Sequence, residues 1–115
     1  MAFATIVALE TLRSVAQAAI TNAYLPIGTP ITHNARAIRF INNTDGDMFI
    51  SDDGINNKYF VPKSSFVLYD FASLSAGTSI SYPLAYATGT QFFIKYSSAP
   101  ATGTLYLEVI YGVLA

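Results

Sequence analysis

The chain has 115 residues, which is the size of one domain, and it contains no cysteine. Disulfide bonds and thiolate metal sites are therefore excluded. Six basic and seven acidic residues give a net charge of −1, so the chain lacks the basic footprint that binds nucleic acid or an anionic membrane surface.

The N-terminal region is rich in alanine and aliphatic residues. Glu10 and Arg13 interrupt its apolar stretch after about eight positions, so we expect neither a cleaved export signal nor a membrane-spanning segment. The apolar spacing of the first 24 residues partly fits a helix, but β-branched residues favour a strand over residues 11–20. We interpret residues 1–10 as an extended arm that packs on a neighbouring molecule, and residues 11–115 as one domain.

Beyond the first third of the chain, short alternating runs of β-branched and aromatic residues are separated by clusters of Gly, Pro, Asn or Asp. Residues 35–42 alternate, and the turn-forming residues at 43–46 follow them, so we predict a hairpin with residues 47–51. The same pattern predicts a hairpin between residues 89–97 and 104–112.

The run at residues 64–72 is apolar on both of its faces. Phe66 and Leu68 lie on one side, and Tyr69 and Phe71 lie on the other. A strand that is apolar on both faces does not leave one of them exposed to water, so we expect a second layer or a neighbouring subunit over each side.

About seven or eight strands at roughly ten-residue spacing, with no helical pattern between them, are typical of an antiparallel β-sandwich or jelly roll. One short strand is expected near residues 78–82, within a long connection. We therefore predict an all-β sandwich with an N-terminal arm.

His33 is the only histidine, so any histidine-based catalytic site has to use it. It precedes Asn34 directly, no Gly-x-Ser-x-Gly motif accompanies it, and no acidic residue stands at a telling spacing. We interpret it as a loop histidine that hydrogen-bonds its own turn, and we predict that the protein is not an enzyme.

Asp45, Asp47, Asp52 and Asp53 lie close together in the sequence, and carboxylates on paired turns can bind calcium. Apolar residues fill the middle of this stretch, which departs from the ligand spacing of an EF-hand loop. We interpret these side chains as acceptors for local backbone donors, with Lys58 balancing one of them. We predict no metal ion and no cofactor.

Only 11% of the residues are charged, against roughly 25% in typical soluble domains, and 52% are hydrophobic. Such neutral exteriors promote self-association, and interface cores are enriched in Tyr and Phe and depleted of charge. We therefore expect neighbouring subunits to cover much of the exterior. The residues expected at these contacts are Phe3, Ile6, Val7, Leu9, Tyr69, Phe71, Tyr82, Tyr86, Phe93 and Tyr106.

Five segments follow one another in the order TLRSVA, ARAIRFINNTDGDMFISDDG, KYFVPKSSFVLYDF, GTQFFIKY and ATGTLYLEVIYG. From about Thr11 to Gly112, this pattern resembles a group of small β-sandwich virion proteins of tailed bacteriophages. An Asn-Asn-Thr-Asp turn, a strand ending in Ser-x-Asp-Gly and a terminal Tyr-Gly strand recur in that group. The motifs are structural, and no catalytic residue is carried over.

The resemblance implies a non-enzymatic component of the virion that is made in the host cytoplasm. It implies either a decoration or cement subunit of the head or a ring component of the neck or tail. The partners would be other copies of the chain and other virion proteins, namely the major capsid protein or portal, neck and tail proteins.

Two alternatives remain open. Exposed aromatic rings stack on sugars, so a carbohydrate-binding module of a phage tail or bacterial surface, which would use Tyr82 or Tyr86, is the runner-up. A small hydrolase built around His33 is the third reading.

Overall fold

The computed structural model of the chain describes residues 5–71 and 85–114, and every structural statement below refers to these residues. They form nine strands in two antiparallel sheets and one short 3₁₀ helix, Gln17–Ala19. The all-β sandwich is therefore confirmed, with nine strands where seven or eight were expected. The strand predicted near residues 78–82 lies outside the described residues. The strands are β1 (Thr5–Leu9), β2 (Arg13–Ala16), β3 (Leu25–Pro26), β4 (Ala37–Thr44), β5 (Met48–Ser51), β6 (Tyr59–Val61), β7 (Ser65–Asp70), β8 (Phe93–Tyr96) and β9 (Gly103–Leu114).

Sheet A has five strands, and β9 is the longest of them. β4 pairs with β9 along its full length, from Ala37 opposite Ile110 to Thr44 opposite Gly103. β7 pairs with the other side of β4. On the other side of β9, β1 and β2 lie one after the other. The order across sheet A is thus β1 with β2, then β9, β4 and β7.

Sheet B has four short strands in the order β3, β8, β5 and β6. β3 is only two residues long and contains Pro26, which has no amide hydrogen to donate. β6 is followed directly by Pro62. Short outer strands that contain or adjoin proline are poor templates for strand addition, so the edges of sheet B discourage pairing with another chain.

The core lies between the two sheets. Ile38 and Phe40 of β4 and Leu105, Leu107 and Val109 of β9 are fully buried there. Successive side chains of a strand point to opposite faces, so the residues between these buried positions lie on the outer face of sheet A. The core residues contributed by sheet B and the loops include Ile27, Ile31, Met48, Ile50, Val61, Phe92 and Ile94.

Two buried polar side chains hold the corner at which the chain leaves β4 in sheet A for β5 in sheet B. Asn42 Nδ2 donates to the carbonyl oxygens of Gly46 at 2.9 Å and Val61 at 3.0 Å. Asn42 Oδ1 accepts from the Thr44 amide at 3.1 Å and lies 2.6 Å from Thr44 Oγ1. Asn42 and Thr44 are almost fully buried, so these bonds satisfy polar groups that water does not reach.

Both predicted hairpins are wrong. β5 does not pair with β4; it crosses to sheet B and lies between β6 and β8. β8 likewise belongs to sheet B, whereas β9 returns to sheet A beside β4. Turn-forming residues indicate where the chain reverses, but they do not indicate whether the next strand pairs with the previous one or packs across the core from it.

The N-terminal strands differ in detail from the predicted arm and first strand. β1 is extended, as expected for residues 1–10, but it pairs with β9 of its own chain, with Thr5 opposite Leu114. The strand predicted over residues 11–20 is shorter, because β2 ends at Ala16 and the 3₁₀ helix follows. β1 and β2 are therefore both part of sheet A.

A β-bulge separates β1 from β2. Leu9 lies opposite Ile110 and Arg13 lies opposite Leu107, so three residues of this edge face two residues of β9. The extra residue shifts the alternation of side chains. As a result, Glu10 and Arg13, three positions apart, lie on the same side of the sheet and form an ion pair at 2.8 Å.

Candidate interaction surface

The outer face of sheet A carries large apolar side chains that remain exposed. Phe66 and Leu68 of β7 are 58% and 55% exposed. Phe66 pairs with Ile41 of β4, and Ile41 pairs with Tyr106 of β9, so these three form a row across the strands. Leu12, in the bulge, is 52% exposed. We call this surface, defined by these five residues and the charged pair described next, the sheet A face.

An ion pair lies in the middle of the sheet A face. Arg39 of β4 is directly opposite Glu108 of β9, and Arg39 Nε donates to the Glu108 carboxylate. This hydrogen bond raises the pKa of Arg39. The guanidinium carbon also lies 5.6 Å from the centre of the Phe66 ring, which is within the range of a cation–π contact. One positive and one negative charge thus neutralise each other among apolar side chains.

The sheet A face continues onto a two-stranded ribbon formed by β1 and the last part of β9. β4 pairs with β9 only as far as Ile110, so residues 111–114 pair with β1 alone. Val7, Leu9 and Ile6 on this ribbon are more than half exposed. A two-stranded ribbon is marginally stable in water by itself, so packing on a neighbour would stabilise this one.

A shallow groove of about 410 Å³ runs along the sheet A face. Its apolar lining includes Leu12, Ile41, Phe66 and Tyr106. The charged side chain that lines it is Glu108, which already belongs to the ion pair. Asn42, Asn43, Ser64 and Ser65 add polar groups to the lining.

The structure places three of the residues expected at subunit contacts on the outer face of sheet A and its ribbon. Tyr106 lies in the row of the sheet A face, and Val7 and Leu9 lie on the ribbon next to it, whereas Ile6 is exposed on the opposite face of the ribbon. Phe66 and Leu68 were not among the residues expected at subunit contacts, although the sequence pattern places them on one apolar side of their strand.

Three of the other expected contact residues lie elsewhere or outside the described residues. Phe93 belongs to sheet B and lies against Gly54 in the loop after β5, on the far side of the sandwich from the sheet A face. Phe3 and Tyr82 lie outside the described residues.

Tyr69, Phe71 and Tyr86 point into the molecule. Phe71 and Phe92 pack edge-on against Tyr86, with ring centres 5.1 and 5.0 Å from it, and Tyr69 packs on Tyr59 at 4.8 Å. The alternation of β7 causes this, because its inner side chains belong to the core when Phe66 and Leu68 face outwards. These three rings therefore stabilise the sandwich itself.

Tyr86 does not offer a free ring to a sugar. Its hydroxyl group hydrogen-bonds the hydroxyl group of Tyr59, and burial raises the pKa of both groups. Its ring is enclosed by Phe71 and Phe92. Tyr86 therefore does not support the carbohydrate-binding alternative.

His33 belongs to a polar cluster centred on Glu10. His33 Nδ1 lies 2.8 Å from Glu10 Oε2, and the His33 ring stacks on the Tyr111 ring at 3.6 Å. Arg13 Nη2 donates to Glu10 Oε1 at 2.8 Å, and the Thr32 amide donates to Glu10 Oε2 at 3.0 Å. The Glu10 side chain is only 4% exposed. Glu10 thereby attaches the loop before β4 to the edge of sheet A.

A catalytic triad also contains a carboxylate that is hydrogen-bonded to histidine Nδ1. Its third member would be a nucleophilic hydroxyl group hydrogen-bonded to Nε2, and residues 5–71 and 85–114 contain no such hydrogen bond to His33. Two clefts of about 610 and 490 Å³ are lined in part by His33 and Tyr111. The contacts of His33 with Thr32, in its own turn, and with Glu10 serve to hold the loop in place.

Acid will weaken this cluster. Burial by itself raises the pKa of Glu10, but the hydrogen bonds from His33, Arg13 and Thr32 outweigh it, and the pKa is lowered from its ordinary value of 4.5. A carboxyl group with a lowered pKa in the folded state stabilises that state fully above the unfolded pKa. This contribution is lost as the pH falls through the folded pKa.

We expect Glu10→Gln to lower the free energy of unfolding by about 1 to 2 kcal/mol at pH 7. The difference from the wild-type chain should shrink as the pH falls from the ordinary Glu pKa of 4.5 through the lowered pKa of folded Glu10, because the unfolded chain takes up the proton first and folded Glu10 becomes neutral last. Urea unfolding at a series of pH values measures it. A difference that is the same at pH 7 and pH 3 would contradict the role assigned to the Glu10 carboxylate.

All four clustered aspartates have partners, but among them Asp53 alone accepts from the local backbone donors that the sequence suggested. Asp45 Oδ1 accepts from the Ala101 amide at 2.7 Å, and Asp47 Oδ1 accepts from the Lys63 amide at 2.9 Å. The bonds from Ala101 and its neighbour hold the pKa of Asp45 below its ordinary value. These two carboxylates fasten separate loops to the corner after β4.

The other two aspartates lie in the loop after β5. Asp53 accepts from Ser51 Oγ at 2.6 Å and from the amides of Asn56 at 2.9 Å and Ile55 at 2.8 Å, and these bonds hold its pKa well below the ordinary range. Lys58 Nζ lies 3.2 Å from Asp52. The described part of the chain contains no cluster of three or more His, Asp or Glu side chains placed to hold a metal ion.

No helix in residues 5–71 and 85–114 has the length and apolar character needed to span a bilayer. Comparisons of the chain with known protein families, with curated proteins and with solved structures found no match.

Proposed function

We propose that the protein is a non-enzymatic structural subunit of a tailed-phage particle, and that it acts by burying the sheet A face against neighbouring subunits. The observation that supports this proposal is the apolar row of exposed Phe66 and half-buried Ile41 and Tyr106, beside exposed Leu68 and Leu12. Head decoration and a ring in the neck or tail would use the same kind of contact.

Contiguous apolar surface of this kind is unusual on a monomer and marks interaction sites. Removing apolar area from water contributes roughly 25 cal/mol per Å², and fully burying one large aliphatic or aromatic side chain contributes about 1.5 to 3 kcal/mol. Phe66 and Leu68 each still expose more than half of their surface, so a neighbour that covers both gains a large part of that free energy.

The chemistry of the sheet A face favours binding over catalysis. A catalytic site brings together titratable groups that are free to transfer protons. The two charged groups at the middle of this face, Arg39 and Glu108, are hydrogen-bonded to each other. Their surroundings are apolar side chains, which serve for contact and for the exclusion of water.

The test is the incorporation of a tagged chain into tailed particles produced in the native host. We expect the wild-type chain to sediment with purified particles in a fixed copy number. Leu68→Lys should reduce incorporation at least about tenfold, because it places a charge in the contact. Each variant is first shown to fold by circular dichroism.

Phe60→Lys is the matched control, because Phe60 is also an exposed apolar strand residue but lies on the outer side of sheet B. It should be incorporated as the wild type is. Absence of the wild-type chain from particles, or equal incorporation of the two variants, would refute the proposal.

A further inference from the structure

We propose that a second copy of this chain occupies the sheet A face, related to the first by a two-fold axis that runs along the strands between β4 and β9. This inference rests on the proposed function, because it names the partner of the same surface. It follows from the distribution of charge, from the arrangement of apolar rows and from the area of the face.

The charges of the sheet A face complement the same face of another copy. Arg39 and Glu108 are adjacent across the β4–β9 pairing, one on each side of the proposed axis. A two-fold axis between them exchanges the two sides, so Arg39 of one copy faces Glu108 of the other and Glu108 faces Arg39. A single opposite-charge pair in the centre of an apolar surface is therefore self-complementary.

The apolar rows match under the same axis. Ile41 of β4 and Tyr106 of β9 are also neighbours across the pairing, one row away from the ion pair. The axis places Ile41 of one copy on Tyr106 of the other. On the opposite side of the ion pair, Ala37 of β4 pairs with Ile110 of β9. The axis places Ala37 of one copy on Ile110 of the other. Along β4 and β9, apolar groups thus face apolar groups on both sides of the charges, whereas Asp70 of β7, beside Ala37, adds an exposed acidic side chain at the edge of the same face.

The area of the face is that of a stable interface. Four strands about 4.8 Å apart and eight residues rising about 3.3 Å each outline roughly 500 Å². The β1–β9 ribbon adds roughly 100 Å² to this outline. Projecting side chains raise the accessible area above the flat outline, which brings it close to the ~800 Å² that each partner contributes to a standard interface.

The exposure of the ion pair makes the inference testable without unfolding the chain. The side chains of Arg39 and Glu108 are 39% and 23% exposed, and a pair at the surface of one molecule contributes little to its stability. In the two-fold arrangement the same charges are covered by a second face. Reversing one of them would then be strongly unfavourable for association and nearly neutral for folding.

The experiment is sedimentation velocity on Arg39→Glu, on Glu108→Arg and on an equimolar mixture of the two. We expect the wild-type chain to form dimers and each single variant to associate about 100-fold more weakly. The mixture should recover dimers, because the variant with two negative charges faces the variant with two positive charges. Folding is checked by thermal unfolding of each variant alone.

Lys95→Glu is the control, since Lys95 lies at the centre of sheet B between Tyr24 and Phe49 and its reversal should leave dimers intact. Wild-type chain that stays monomeric at all concentrations would overturn the inference, and so would a mixture that fails to recover dimers. If the chain nevertheless enters particles through the sheet A face, the proposed function stands and the second copy is not its partner.

Discussion

Replacing Gly103 with alanine will lower the free energy of unfolding by about 4 kcal/mol, a large fraction of the roughly 5 to 15 kcal/mol that stabilises a typical domain. Gly103 begins β9 with a φ of +100°, and a Cβ atom on it would lie 1.9 Å from the carbonyl oxygen of Asn43. Asn43 belongs to β4, which pairs with β9 here. The overlap is relieved only if the two central strands of sheet A move apart.

Gly89→Ala is the control that separates the effect of the steric overlap from the effect of the positive φ. Gly89 has a φ of +93°, but no atom lies within 4 Å of a Cβ built on it. We expect this variant to lose only about 1 kcal/mol, from the strain of placing alanine at positive φ. Urea unfolding of both variants measures the difference. Equal losses would contradict the close approach of β4 and β9 at Gly103.

Asn42→Ala is expected to cost about 3 kcal/mol. The substitution removes the amide group that bonds the carbonyl oxygens of Gly46 and Val61 and the Thr44 amide. Asn42 is 1% exposed, so water does not replace the lost partners without opening the corner between the sheets. Chemical denaturation compares the variant with the wild-type chain.

Asn43→Ala is the matched control, because Asn43 is the next residue on β4 and points to the solvent side. Its replacement should change the free energy of unfolding by no more than about 0.5 kcal/mol. If both variants lose the same amount, the buried network does not hold the corner and the assigned role of Asn42 is wrong. Asn42 and Asn43 both line the groove on the sheet A face, so the corner also shapes that surface.

The sequence predicts the sandwich because alternation and turn residues are local signals. It does not predict which strands pair. β4 and β9 are adjacent in sheet A although their paired residues Arg39 and Glu108 are 69 positions apart. The turns that follow β4 and β8 have ordinary turn residues. Whether such a turn leads the chain into the other sheet depends on tertiary contacts, such as those of Asn42.

The sequence predicted exposed apolar side chains on the sandwich, but it predicted only part of the sheet A face, namely Tyr106 and not Phe66 and Leu68. The strand at residues 64–72 is apolar on both sides, and a period-two pattern does not distinguish the inner from the outer side when both are apolar. The structure turns Tyr69 and Phe71 inwards, where Tyr86 completes the packing, and leaves Phe66 and Leu68 outside.

The cluster around His33 had no sequence signal. Glu10 and His33 are 23 positions apart, and the bulge that brings Glu10 and Arg13 to one side is visible only in the pairing register of β1 and β2 with β9. A bulge adds one residue without a distinctive motif, so the alternation of the sequence alone places these two side chains on opposite sides.

The central claim is that neighbouring subunits cover the sheet A face. A reconstruction of a tailed particle that contains this chain tests it most directly. We predict that Phe66, Leu68 and Tyr106 contact a neighbouring subunit and that Phe60 of sheet B lies away from that contact. A reconstruction in which the sheet A face is turned towards solvent in every copy would contradict the claim.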